Sequence, residues 1–310
     1  FPNEFVDLVY LDPPFNSNKN YNVIFQSEDT HEDSEAQIRA FDDTWHWTTR
    51  TEEELQWIVT NSSAGSELID LVTGYVKALG KNDATAYLVM LTARIIELHR
   101  VMKPTASFYL HCDPTMSHYI KTLLDQLFDI RNFRNEIIWK RTTGAHNDGN
   151  RYGRIHDSIL FYTKSSDYTW NRVRAPYSDK YLKMFSMKDE RGVFKAENLM
   201  APGGRGPRYE WNGVTRNWRV TKENMEELQK AGLLYYTKSG MPKRKYYLED
   251  AEGMLPQDIW TDIVPLSGAA KERLGYQTQK PLALLERMIQ SSSNEGGIVL
   301  DPFCGCGTAV

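Results

Sequence analysis

Two short stretches of this chain put acceptors, prolines, aromatics and glycines at spacings that chemistry can use. The first is Asp12-Pro13-Pro14-Phe15, directly after the apolar run Phe5–Leu11. A bare Pro-Pro after a strand is usually a rigid capping turn. Here a carboxylate and a flat ring flank it, and that set suits a planar amine: the carboxylate accepts one N–H, a proline carbonyl the other, and Phe15 stacks on the ring. Such a site polarises an exocyclic amino group without a strong base. The second stretch is Leu300-Asp301-Pro302-Phe303-Cys304-Gly305-Cys306-Gly307-Thr308. A strand ending in an acid runs into a turn whose glycines let the backbone come close to a ligand, as in nucleotide-binding strand-to-helix turns. It lacks the third glycine of the dinucleotide fingerprint and the Lys-Ser/Thr of a P-loop. Cys304 and Cys306 have no accompanying Cys or His cluster, so no metal is expected, and they read as compact side chains in a tight loop.

Both stretches need elements to hold them. Phe5–Leu11 is too short for a helix and too apolar for an exposed strand, and reads as a buried strand of a parallel sheet. Its terminal prolines put Asp12 at the sheet's carboxyl edge, where open α/β sheets bind ligands. The polar, carboxylate-rich stretch 16–61 reads as a long loop with short helices. Leu88, Leu91, Ile95, Leu98 and Met102, ahead of Pro104, predict a helix over 84–101. Strands are expected at 107–111, 135–139 and 158–162, with a helix at 116–128. After Lys164, short aromatic and basic pieces broken by glycine and proline read as an inserted region of irregular structure. Gln279-Lys280-Pro281 opens an amphipathic helix, and a strand over 298–301 leads into the glycine turn. The fold class is α/β.

Composition narrows the compartment. The 310 residues are 41% hydrophobic and 25% charged, which excludes global disorder and allows one large domain with an insertion or two smaller ones. Three cysteines do not make a disulfide framework, and no apolar run reaches membrane-span length, so a reducing, cytoplasmic setting is expected. The net charge of -4 hides a division: residues 1–130 carry 9 basic and 20 acidic side chains, 131–250 carry 24 and 14, and 251–310 carry 4 and 7. The basic middle also holds Trp139, Trp170, Trp211 and Trp218, as a polyanion-binding module would, although a solvated lysine-rich surface has the same composition. Arg141, Arg151 and Arg154, in a Gly/Asn-rich loop, and Arg205 and Arg208, beside glycines, are the candidate phosphate contacts, weighed against plain solvated loops. His111, Cys112, His156 and Asp157 read as satisfied structural groups.

Asp12-Pro-Pro-Phe15 resembles the catalytic motif of amino-group DNA methyltransferases, and Asp301-Pro-Phe-Cys-Gly-Cys-Gly-Thr308 resembles their S-adenosylmethionine loop. Gln279-Lys280-Pro281 resembles the helix-opening motif that precedes that loop. Catalytic loop first and cofactor motifs last is the β-class order. The resemblance implies a Rossmann-like class I methyltransferase sheet, circularly permuted. Its parts would be a catalytic part over 1–166, a target-recognition insertion over 167–262 and a cofactor-binding part over 263–310. It implies that a base flipped out of double-stranded DNA is held by Asp12 and the Pro13 carbonyl, with Pro14 shaping the turn and Phe15 stacking. Asp301, Pro302, Phe303, Cys304, Gly305, Gly307 and Thr308 would hold the cofactor, with Gln279, Lys280 and Pro281 closing the pocket. An aspartate at the head of the motif is usual for adenine-N6 enzymes, so adenine is favoured. N4-cytosine specificity, or a DNA-binding remnant without turnover, is the alternative. A prokaryotic or phage-like source is expected, and a restriction endonuclease partner and self-association stay open. The chain starts inside a strand-like run and stops at Val310, so a C-terminally truncated fragment is expected, with further strands and a ribose-binding acid beyond it.

Overall fold

The computed structural model describes residues 1–14, 20–22, 39–42, 45–142, 144, 149–150, 152–274, 278–305 and 307–308, with backbone alone for 20–22 and 39–42. Strand β1, Val6–Leu11, has five of its six residues buried. A run apolar on both faces belongs inside a sheet, and β1 lies between two parallel neighbours. A short antiparallel pair follows, β2 (Asn20–Asn22) and β3 (Arg39–Asp42). Then come α1 (Thr49–Thr60), α2 (Ser66–Leu79), α3 (Asp83–Val101), β4 (Met102–Cys112), α4 (Ser117–Phe128), β5 (Phe133–Lys140) and β6 (His156–Thr163). The expected loop over 16–61 thus holds an antiparallel strand pair and a three-turn helix, and its residues 16–19, 23–38 and 43–44 lie outside the described residues. Helix α3 starts at a capping box in which Asn82 and Thr85 exchange side-chain and backbone hydrogen bonds.

A second compact unit, Arg174–Pro256, interrupts the first. It contains α5 (Asp179–Leu182), β7 (Met187–Lys188), β8 (Val193–Asn198), β9 (Arg208–Trp211), β10 (Val214–Asn217), α6 (Lys222–Lys230), β11 (Leu234–Tyr236) and β12 (Pro242–Tyr247). This region is regular, which corrects the sequence expectation of irregular structure. An antiparallel sheet runs β11-β12-β8-β7, and β9 and β10 form a hairpin. Strands of two to six residues are too short to show a period, and the glycines that look like breakers are turn residues. Asn212 and Gly213 both take positive φ (48° and 78°), the backbone a tight hairpin turn requires. At Gly206 (φ 145°) a Cβ would stand 2.3 Å from the Trp218 carbonyl oxygen. Trp218 itself is fully buried, with Leu199, Met225 and Leu234 around it.

The chain returns to the first unit with β13 (Ile259–Trp260), α7 (Leu282–Ser292) and β14 (Val299–Leu300). Among the described residues the main sheet has six strands in the order β13-β5-β6-β4-β1-β14, and only β6 is antiparallel to the rest. Val9, Leu11, Phe108, Leu110 and Leu160 face α1–α4 in one core. Leu8, Tyr10, Tyr109, Trp139 and Ile159 face Leu284, Leu285 and Met288 of α7 in another. This is the α/β layering expected from the sequence. Its consequence for function is directional. The segments after β1, β4, β13 and β14, and the loop joining β5 to β6, all leave the sheet at one edge. The basic excess divides as well, with 8 basic and 4 acidic residues over 131–173 and 16 and 10 over 174–250.

Candidate active site

Asp12 follows β1, and Asp301 follows β14 on the adjacent parallel strand. The register Val9↔Leu300 sets Asp301 level with Tyr10, so the two acids leave neighbouring strands two residues out of step. Asp12 is largely buried, and its Oδ2 accepts a 2.5 Å charge-assisted hydrogen bond from the Lys280 ammonium, itself 10% exposed. Its Oδ1 accepts no hydrogen bond among the described residues. Lys280 comes from the far end of the chain because Pro281 is the N-cap of α7, whose apolar face docks on β1. Gln279 is spent on structure: it donates to the Glu272 carbonyl (2.6 Å) and accepts from the Leu274 N–H (2.7 Å). Glu272 in turn accepts the Leu282 N–H at 3.0 Å and closes the N-terminus of α7.

The loop after β14 turns tightly. The Gly307 N–H donates to the Cys304 carbonyl at 2.7 Å, and Gly305 and Gly307 both take positive φ, 55° and 81°. Asp301 accepts the Phe303 N–H at 3.0 Å, while the Phe303 ring packs against the core beneath α1–α4. Pro302, Cys304 and Gly305 are exposed, and Thr308 is half-buried. Burial first, and the charge of Asp12 with it, push the Asp301 carboxyl up to about 6 against the opposing pull of the Phe303 N–H and Lys280. Among the described residues Asp12 and Asp301 thus share Lys280, and a carboxylate without its own cation favours a positively charged ligand. Among the described residues no group of His, Cys, Asp and Glu could hold a metal ion.

Sequence reasoning set aside His111 and Asp157, yet both belong to this edge. The register Leu11↔Leu110 continues by one residue to set His111 beside Asp12. His111 is fully buried between the Tyr10 hydroxyl (3.2 Å from Nδ1) and Asp157 Oδ2 (2.9 Å from Nε2). Burial raises Asp157, but the hydrogen bond from His111 and the charges of His111, Arg141 and Lys280 outweigh it and leave the carboxyl below its ordinary value. Burial, and then the charges of Asp12, Asp301 and Asp157, hold the Tyr10 hydroxyl well above its ordinary value. The only sequence signal for this cluster was a histidine and an aspartate at the ends of two apolar runs.

Arg141 opens the β5–β6 loop with its Nε 3.1 Å from Asp157 Oδ1, and Arg154 closes it, exposed and 3.4 Å from the Thr115 hydroxyl. Arg205 and Arg208 are exposed in the second unit, where Arg208 donates to Asn217 at 3.3 Å. Phe15, Arg151 and Cys306 lie outside the described residues. Pro13 and Pro14 extend from β1 directly after Asp12. Among the described residues no helix is long and apolar enough to cross a membrane.

A family model described as DNA methylase, covering N6/N4 methyltransferases, matches residues 6–310. The type II methyltransferase M.EcaI of Enterobacter cloacae is 30% identical over 232 residues, 73% of this chain and 51% of that protein. The Mod subunit of the type III restriction-modification enzyme StyLTI of Salmonella typhimurium is 23% identical over 98% of this chain and 45% of its own. The DNA adenine methyltransferase YhdJ of Escherichia coli K12 is 26% identical over 68% and 53%. The chain thus spans about half the length of the curated relatives it matches. With the family match running from β1 through the glycine loop, the chain belongs to the N6/N4 DNA methylase family.

Proposed function

We propose that this protein is a site-specific DNA methyltransferase that uses S-adenosylmethionine to methylate the exocyclic N6 of a flipped-out adenine. The observation that carries the reading is Asp12: a carboxylate at a strand end, fixed through one oxygen by Lys280, whose other oxygen accepts no hydrogen bond among the described residues. S-adenosylmethionine, when bound, supplies a methyl group on a sulfonium centre. The 301–308 loop would hold it, with the under-compensated carboxylates of Asp301 and Asp12 suiting its positive charge. Asp12 Oδ1 and the Pro13 carbonyl would accept the two amine hydrogens, and Phe15 would stack on the base. Asp12 in its ion pair would orient the amine's lone pair, and the one N–H proton that the methylated nitrogen must shed would pass to water. Holding two reactants in line is a large source of rate by itself. A stacked, paired adenine cannot reach this edge, so the base must leave the duplex. Arg141, Arg154, Arg205 and Arg208, with Arg151, would meet the phosphates.

Adenine is chosen because an aspartate heads the catalytic motif, and the relative YhdJ is named for that base. A restriction-modification setting, with a nuclease partner, belongs to the same proposal on the printed names of the relatives. The test is transfer of labelled methyl from S-adenosylmethionine to duplex DNA. Asp12→Ala should lower it by ~100-fold or more while DNA still binds. DNA binding without transfer by the unaltered protein would reject the proposal in favour of a binding remnant.

A further inference from the structure

The proposed reaction leaves unused a buried polar chain on the face that carries Asp12. Tyr10, His111, Asp157 and Arg141 are joined in that order at 3.2, 2.9 and 3.1 Å, across β1, β4 and β6 and into the β5–β6 loop. Trp139 walls the histidine edge-on at 5.8 Å and is itself pinned by its Nε1–H to the Ile263 carbonyl at 3.0 Å. Burying such groups costs free energy, and packed apolar side chains would hold the sheet at least as well. What the chain adds is direction. Asp157 is acceptor-only, so it takes the Nε2–H, which leaves Nδ1 to the Tyr10 hydroxyl and fixes the orientation of the ring.

Its two ends differ. Tyr10 lies two residues before Asp12 and on the same face of β1. Arg141 is about half exposed at the start of the β5–β6 loop, with its Nε 3.1 Å from Asp157 Oδ1, and a guanidinium carries further N–H donors that suit a phosphate. We infer that Arg141 is the DNA-contacting end of a positioning chain, through which contact with a backbone phosphate is passed by Asp157 and His111 to Tyr10 and fixes the strand end that carries Asp12. The inference rests on the methyltransferase reading for its substrate. Tyr10, His111 and Asp157 act through Asp12 and touch neither base nor cofactor.

Coupling of this kind is shown by non-additivity rather than by proximity. Methyl transfer at saturating DNA and cofactor is compared for His111→Gln, Arg141→Ala and the double variant. Each single change should lower kcat by ~10-fold or more, and the double should be no slower than the worse single. Arg154→Ala, on the same loop but outside the chain, should multiply with His111→Gln. Tyr10→Phe, which removes one hydroxyl and keeps the ring, carries the same comparison if His111→Gln does not fold. A second readout needs no turnover: with 15N-labelled histidine, duplex DNA should move the His111 ring signals in the unaltered protein and not in Arg141→Ala. Multiplicative losses, or His111 signals that ignore DNA shown by anisotropy to be bound, overturn the inference. Bound DNA without methyl transfer rejects the methyltransferase reading instead, and the histidine signals then decide the coupling alone.

Discussion

Asp301→Asn should make this protein more stable and a worse binder of its cofactor. The Asp301 carboxyl is raised from an ordinary 3.8 to about 6, by burial first and by Asp12 in addition. A group raised in this way holds its proton more tightly folded than unfolded. Folding therefore loses stability as pH rises from about 4 to 6, and the full penalty stands above that window. A difference of about two pH units corresponds to about 3 kcal/mol, and because the side chain is only half-buried, screening reduces it to about 2 kcal/mol. Asparagine keeps an oxygen for the Phe303 N–H and removes the charge. Urea unfolding followed by tryptophan fluorescence should then show the variant ahead by about 2 kcal/mol at pH 7.5 and by about half that at pH 5. Isothermal titration should show weaker S-adenosylmethionine binding. A variant no more stable than the parent at pH 7.5, or a gap that does not change with pH, would refute the electrostatic reasoning. A stability cost at an acid proposed to face the cofactor is the pattern expected where function is set against stability.

Lys280→Met removes the cation from Asp12 and should cost about 3 kcal/mol; adding Asp12→Leu should recover most of it, and purely additive unfolding energies would deny the pairing. Arg208→Ala, in the second unit, should weaken DNA binding equally across sequences and lower the slope of log affinity against log salt by about 0.9; an unchanged slope would remove Arg208 from the phosphate contacts. Cys304 is exposed in the glycine loop and Cys112 is buried, so iodoacetamide should label Cys304 in the native protein and Cys112 only after unfolding. S-adenosylmethionine should slow the Cys304 reaction, and an unaltered rate would count against that loop as the cofactor site.

The elements that position the site were legible where burial imposes a period. Val6–Leu11 is a nearly continuous apolar run, the strand ending at Cys112 carries the apolar stretch Phe108–Leu110, and α3 has apolar residues at helical spacing, so each was readable from local pattern. The second unit was not, because β7, β9, β10 and β11 are two to four residues long and depend on the packing around Trp218 rather than on their own sequence. Among the candidate site residues, Asp12 and the glycine loop stand out by type and spacing. Lys280 was expected at the cofactor; its ion pair is with Asp12, 268 residues away in sequence, and α7 docking brings it there. His111 and Asp157 are separated by 46 residues and Tyr10 and His111 by 101. Sheet order made them neighbours, and nothing local records sheet order.

The central claim is that the Asp12 edge transfers a methyl group to adenine. The measurement is mass analysis of nucleosides from duplex DNA digested after incubation with the protein and S-adenosylmethionine, beside the same digest from Asp12→Ala. The account predicts N6-methyladenine in the first digest and none in the second. N4-methylcytosine in its place, or N6-methyladenine formed equally well by Asp12→Ala, would contradict it.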